Sequence, residues 1–228
     1  MVISLLCPSR GRPENLRRLS ESAFSLAASP LDIEVLAYVD LDDPALPQYV
    51  ALDCAEIHTG ERIMFTDYWN KLAEVAHGNI MGMMGDDVVF RTPGWDVMVE
   101  AAFGSVPDRM VLVYGRDGFR NQVHASHPFL SREWCEVLGY LYPHPEVFTQ
   151  DMVDVWVFEL AQAVNRTIYL PELFTQHMHP DDPSLGVEFD QTYRDNAMRR
   201  ERDRTHERYA DYAAERAADV EKLRRALR

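Results

Sequence analysis

Cysteine is scarce in this chain of 228 residues: Cys7, Cys54 and Cys135 lie far apart and are odd in number. That pattern excludes a disulfide framework and a clustered thiolate metal site, and it fits a reducing cytoplasm. Long apolar runs are missing too. No stretch approaches the roughly 18 residues that a spanning helix needs, so no membrane partner is expected. The opening MVISLLCPSRGRP has no basic lead, and its arginines follow the apolar stretch, which marks a first strand rather than a signal peptide. Positive charge is in short supply, with 23 Lys and Arg against 37 Asp and Glu and a formal net charge of −14. Broad attraction to phosphate backbones needs clustered cations to displace counterions, so general coating of nucleic acid is excluded while a local basic groove is not. The loop after the first apolar run lacks G-x-G-x-x-G and offers arginines instead, which counts against a dinucleotide site.

What is present reads as one α/β domain with a helical appendage. Hydrophobic residues make up 46% and charged residues 26%, an ordinary globular balance. Val2 to Cys7 is a short apolar run closed by Pro8, as expected of a strand buried on both faces. Leu16, Leu19, Ala23, Phe24 and Ala27 recur at helical spacing from Glu14 to Ala28, with Pro13 suited to the first turn. Ile33 to Val39 reads as a second strand, the neighbourhood of Cys54 to His58 as a third, Thr66 or Asp67 to Ala76 as a helix, and Ile80 to Met84 as a fourth strand. Further on, a helix follows Pro93-Gly94 to Phe103, Met110 to Tyr114 is a strand, Ser131 or Arg132 opens a short helix, and Val153 to Val164 is another. Strands are read at Thr167 to Leu170 and Glu172 to Met178. From Phe189 to Arg228 the chain is charged and free of glycine and proline, which predicts one or two long helices. Alternating strands and helices imply a mostly parallel sheet whose ligands lie beyond the carboxyl ends of the strands. Those ends are PSRGR, DLDD and GDD.

The third of these ends the most informative segment, Asn70 to Asp87, NKLAEVAHGNIMGMMGDD. Acids at the end of a central strand suit a hard divalent cation, which can neutralise a diphosphate leaving group. An isolated Asp pair could equally cap the next loop. The whole segment, however, resembles the central stretch of GT-A glycosyltransferases of the family 2 type, which runs Asn, a helix ending A-x-G, a strand, and D-x-D. Counted without a gap, Asn70, Ala76, Gly78 and Asp87 fall on the Asn, the Ala, the Gly and the last Asp. Gly85 departs from the pattern, standing where the first Asp belongs, with Asp86 in the middle position. The resemblance covers about Val2 to Pro180 and implies a Rossmann-like GT-A domain over residues 1–185; the charged segment over 186–228 lies outside it and is read as a C-terminal helical extension. The resemblance also implies transfer of a sugar from a nucleotide-diphosphate donor, a UDP-sugar first, with Mn²⁺ or Mg²⁺ as cofactor.

Site residues follow from the same resemblance. Asp87 is the implied metal ligand, with Asn70 and Asp86 on the donor side. Pro8, Ser9, Arg10 and Arg12 match the P-x-R-x-R opening that lies against the donor, where arginine suits diphosphate through bidentate hydrogen bonds. Asp40 matches the acid that binds the base or ribose. VDVWVFELAQAVNRTIYLPEL resembles the E-D motif helix and the strand after it, which puts Asp154 in the place of the base that takes the acceptor proton in inverting members. Val153 replaces the usual Glu, and Asp151, three residues before Asp154, shares its helical face as an alternative base or its orienter. In QHMHP, His177 takes the position of a further metal ligand with His179 as alternate, since side chains two apart in an extended segment point the same way. Trp95 and Asp96, together with Arg116 to His127, are assigned to the acceptor side.

The short chain, GDD, PGWD and H-x-H before an acidic, Tyr-containing helix resemble compact bacteriophage-encoded glycosyltransferases, some of which modify hydroxymethylated bases in DNA. That analogy implies a host-cytoplasm location and places modified DNA among the acceptors, beside protein, lipid and small-molecule glycoconjugates. Two rivals stand against the transferase reading. A nucleotidyltransferase would usually carry a Gly-rich, Lys-containing first loop, absent here, and an inactive nucleotide-sugar-binding module is suggested by Gly85 and Val153.

Overall fold

The first strand sets the architecture, because every residue of Ile3–Pro8 (β1) except the last is buried, and such a strand must be covered on both faces. In the computed structural model, which describes residues 1–143 and 152–228, β1 pairs in parallel with Ile33–Asp40 (β2) and with Ile80–Met83 (β4). Glu56–Gly60 (β3) extends the sheet in parallel beyond β2. The other side is mixed: Phe129–Ser131 (β7) runs antiparallel to β4 and to Leu112–Arg116 (β6), Thr167–His177 (β8) is parallel to β6, and Val88–Phe90 (β5) is antiparallel to β8. The eight-stranded order is β3-β2-β1-β4-β7-β6-β8-β5.

Side chains alternate across this sheet and seed two cores. Leu5, Cys7, Val35 and Ala37 face Pro13–Leu26 (α1), Leu46–Val50 (α2) and Trp95–Gly104 (α4), meeting Leu16, Leu19, Tyr49, Trp95 and Phe103. Leu6, Leu36 and Met83 face Phe65–Val75 (α3), Arg132–Leu138 (α5) and Val153–Ala163 (α6), meeting Trp69, Leu72, Trp134 and Trp156. Gly78 is required where α3 runs back into β4, because a Cβ there would strike the Ser4 side chain, whose hydroxyl accepts the Gly78 N–H. Met152 enters α6 with φ of 61°, in the left-handed region that a methionine rarely adopts.

Two readings of the second half need correction. The strands read at Thr167 and Glu172 are one, with a register shift opposite Gly115 and Arg116 that absorbs the break. The terminal segment forms three helices, Gln191–Asp203 (α7), Thr205–Tyr209 (α8) and Ala213–Ala226 (α9). Leu223 of α9 and Tyr209 of α8 are buried in the same core as Trp134 and Trp156. No helix of the described residues is long and apolar enough to cross a membrane.

Candidate functional site

At the carboxyl ends of β1, β2 and β4 the chain opens a cavity of about 1010 Å³. Pro8, Ser9, Arg10, Arg12, Asp40, Asp86, Asp87, Asp154, His177 and His179 all line it. On its open side Arg10 bridges Asp40 at 2.8 Å and Asp42 at 2.5 Å, while the Tyr68 hydroxyl donates to the other Asp40 oxygen at 2.7 Å. Tyr38 packs against Tyr68, with ring centroids 5.0 Å apart. This corner combines one buried acid, two aromatic rings and a cation.

Deeper in, Ser9 Oγ donates to Asp86 at 2.7 Å and Arg12 Nη1 donates to the second Asp86 oxygen at 3.1 Å. Burial still pushes the Asp86 carboxyl up to about 6, helped by the charge of Asp87 and opposed by Arg12. Asp87 behaves oppositely. Burial would raise it too, but the His177 charge and hydrogen bonds from His177 and Tyr193 hold it well below the usual carboxylate range. The two neighbours therefore carry different jobs, one sharing its charge with arginine and the other with histidines.

Asp87, His127 and His177 form a triad whose candidate ligand atoms all lie within 4.8 Å of one another. His177 Nε2 is 3.3 Å from Asp87 Oδ2. His127 is buried, and desolvation together with the neighbouring His177 charge lowers its pKa to about 4, which favours the neutral, ligating imidazole. The Nδ1 atoms of both histidines are buried with no hydrogen-bond partner among the described residues. Gly85 now has a physical reason: a Cβ there would lie 2.5 Å from Asp87 Oδ1, and His127 Nε2 is 3.5 Å from the same point. The space that a first D-x-D acid would enter is taken by the Asp87 carboxylate, with an imidazole beside it.

Several expected positions fall elsewhere. His179 lines the cavity but is not part of the triad; its ring stacks on Phe119 at 5.1 Å and its Nδ1 accepts the Asp181 N–H. Asn70 does not line the cavity: its amide accepts from the Leu141 and Tyr142 N–H groups and donates to the Tyr142 carbonyl, so it fixes the Tyr142 wall from behind. Trp95 and Asp96 do not line the cavity either. Trp95 is fully buried with its indole N–H on the Ala23 carbonyl, and Asp96 caps the end of α1 through the Ala28 and Ser29 N–H groups at 2.8 Å each. Asp151 lies outside the described residues. The Arg116 to His127 stretch does reach the cavity, through Phe119, Arg120, Val123, His124, Ser126 and His127. Asp117 shapes that loop by accepting three successive N–H groups, from Phe119, Arg120 and Asn121.

Sequence reasoning missed the contribution of the terminal segment. Asp190 caps α7 and makes two bonds to the Arg12 guanidinium, at 2.7 and 2.5 Å. One turn on, the Tyr193 hydroxyl donates to Asp87 Oδ2 at 2.6 Å, and the Arg12 guanidinium lies 4.1 Å from the Tyr193 ring centroid. The sequence traces of this were the acidic, Tyr-containing helix after H-x-H and, within it, an N-cap Asp followed three residues later by Tyr. His127 was hidden because its partners are distant in sequence, although its position just before Pro128 and a short apolar run was a usable hint.

No family model matches the chain, and no curated protein matches it. Solved structures do. The chain is similar to the mannosyltransferase PcManGT from Pyrobaculum calidifontis in complex with GDP-Man and Mn²⁺, at a TM-score of 0.60 and 14% identity over 79% of this chain and 58% of that one. It is similar to S. aureus TarS 1-349 in complex with UDP-GlcNAc, at 0.57 and 11% over 77% and 57%. It is also similar to glucosyl-3-phosphoglycerate synthase from Mycobacterium tuberculosis in complex with Mn²⁺, UDP and phosphoglyceric acid, at 0.57 and 13% over 81% and 73%. The chain thus spans less than two thirds of the first two. The fold is that of GT-A glycosyltransferases.

Proposed function

We propose that this protein is a metal-assisted glycosyltransferase that moves a sugar from a nucleotide-diphosphate donor, a UDP-sugar first, to an acceptor hydroxyl. The observation that carries the reading is the Asp87–His127–His177 triad in the same cavity as the Arg10–Asp40 corner, on a GT-A fold. The two imidazoles and the single carboxylate, grouped within 4.8 Å, fit a divalent cation, and two imidazoles favour Mn²⁺ over Mg²⁺, which prefers oxygen. When bound, such a cation neutralises charge developing on the diphosphate. Asp40 and Tyr68 hold the nucleoside end, with the Tyr38 ring beside them. Arg10 and Arg12 face the phosphates, and Arg12 exchanges Asp190 for phosphate oxygens when the donor enters. Asp154, in the first turn of α6 and on the same cavity, supplies the negative charge that draws a proton from the acceptor, giving inversion by direct displacement. The acceptor enters past Arg120 and Arg199, which line the cavity and suit an anionic molecule; hydroxymethylated DNA is the first to screen.

The test is incubation with UDP-, GDP-, CMP- and dTDP-sugars, with and without Mn²⁺, reading nucleotide release and the donor-induced shift in melting temperature. One donor should give a metal-dependent shift and slow release, both lost in Asp87→Ala. If no donor shifts the melting temperature with either metal, the reading is wrong. Pyrophosphate made from NTP and sugar phosphate would instead establish a nucleotidyltransferase.

A further inference from the structure

The same cavity holds a pairing that the motif does not assign: Asp154, which the motif names, is bonded to His124, which it does not. His124 Nε2 is 2.7 Å from Asp154 Oδ2. The second Asp154 oxygen accepts the Val155 N–H at the start of α6, so the carboxylate is fixed at both ends. The imidazole is held edge-on against the Phe158 ring, with centroids 5.5 Å apart, on the next turn of the same helix. Both residues line the cavity, with side chains 18% and 31% exposed. A proton on Nε2 is what lets an imidazole and a carboxylate bond to each other, and this leaves Nδ1 as a free lone pair. Nδ1 hydrogen-bonds to none of the described residues, and the His124 side chain is partly open to the cavity. Asp87, His127 and His177 line the same cavity as this pair.

We infer that His124 is the catalytic base of the transfer and that Asp154 is its positioning partner, an imidazole–carboxylate dyad in place of a lone carboxylate. The inference rests on the transferase reading above. The acceptor hydroxyl gives its proton to His124 Nδ1 as its oxygen bonds to the anomeric carbon. The bond from that carbon to the phosphate oxygen breaks, and its electron pair leaves with the nucleoside diphosphate. The imidazolium is stabilised by Asp154 through the Nε2–H and returns its proton to water. The logic is that of other base–orienter pairs: the carboxylate fixes the tautomer and ring plane while the imidazole does the proton transfer.

The experiment compares wild type, His124→Ala, His124→Gln, Asp154→Asn and the double variant His124→Ala/Asp154→Asn. UDP-glucose and UDP-GlcNAc with Mn²⁺ serve as probes and water as the acceptor, following UDP release and the donor-induced melting shift. In His124→Ala, release falls by about 10² to 10⁴-fold with the donor shift retained, as expected for loss of a general base. Imidazole added to the medium restores release in His124→Ala but not in the bulkier His124→Gln, and the double variant is no slower than His124→Ala, because the two act as a unit. Retention of the wild-type rate in His124→Ala overturns the dyad, as does a loss that imidazole does not repair while Asp154→Asn is just as slow. A wild-type protein that shifts with neither donor and releases no UDP, with the other donor sugars also inert, refutes the transferase reading and the dyad with it. A donor shift with normal release in His124→Ala refutes the dyad alone.

Discussion

The amino-terminal sheet and the carboxyl-terminal helices make the same cavity by opposite means. β1, β2 and β4 bring Ser9, Arg10, Asp40, Asp86 and Asp87 together because parallel strands end at one edge, so local pattern places those residues before any tertiary contact is known. Asp190 and Tyr193 arrive from 178 and 106 residues away in sequence and bind the same Arg12 and Asp87. A strand-end site is thus legible in sequence, and a contribution folded over it afterwards is not. Asp87→Ala tests the first half most severely. Removing the only carboxylate of the triad should cut metal-dependent nucleotide release on the order of 10³-fold, in line with losing a principal charge-stabilising group, and abolish the Mn²⁺-induced melting shift; release unchanged by the substitution would detach the strand-end acids from the chemistry.

Leu223→Ala asks the matching question of the second half. Leu223 is fully buried in the core that holds Trp134 and Trp156, so truncation should cost about 2–5 kcal/mol, read by chemical denaturation. A cost well under 1 kcal/mol, the scale of a surface change, would show that α9 rests on the domain without being part of its core. Tyr193→Phe is subtler. It removes one hydroxyl from a buried carboxylate, and in metal-free protein it should lower stability by about 1–3 kcal/mol. No change would mean that Tyr193 does not share Asp87 in solution.

The sheet, the helices of the first hundred residues and the resemblance at GDD were readable because each depends on short-range periodicity: Leu16, Leu19 and Ala23 announce α1, and Ile3 to Cys7 announce a buried strand. β5 and β7 were not read, being three residues each, shorter than any period can reveal. His127 and the His124–Asp154 pair depend on loop geometry set by Asp117, whose backbone bonds leave no pattern in sequence. Asn70, Trp95 and Asp96 show the converse. Each has a residue type suited to ligands, but the 141–142 backbone, the Ala23 carbonyl and the end of α1 already use its polar atoms.

The smallest effect concerns how the terminal segment is held. Burial by itself would raise the Asp190 carboxyl, but hydrogen bonds from Arg12 and the Tyr193 N–H, with the Arg12 charge, bring it below its usual value. A depressed folded value means that the contribution to stability is present above the unfolded carboxylate range and is lost as pH falls through the lowered value. The contact with Arg12 should therefore stay closed from neutral pH down to about 4, the unfolded carboxylate range, and weaken only below it. Hydrogen exchange of the α7 amides reads this directly. Between neutral pH and about 5, protection, corrected for the intrinsic exchange rate, should be flat; a rise in opening should begin only in the acid range and should be missing from Asp190→Asn, whose α7 is more open throughout. Since Asp190 occupies the Arg12 nitrogens that a diphosphate would use, the same variant should bind UDP with Mn²⁺ several-fold more tightly, the modest gain expected when a half-exposed competing ion pair is removed. Weaker UDP binding in Asp190→Asn would reverse the assignment, making the terminal segment a wall that the nucleotide needs and not a partner that it displaces.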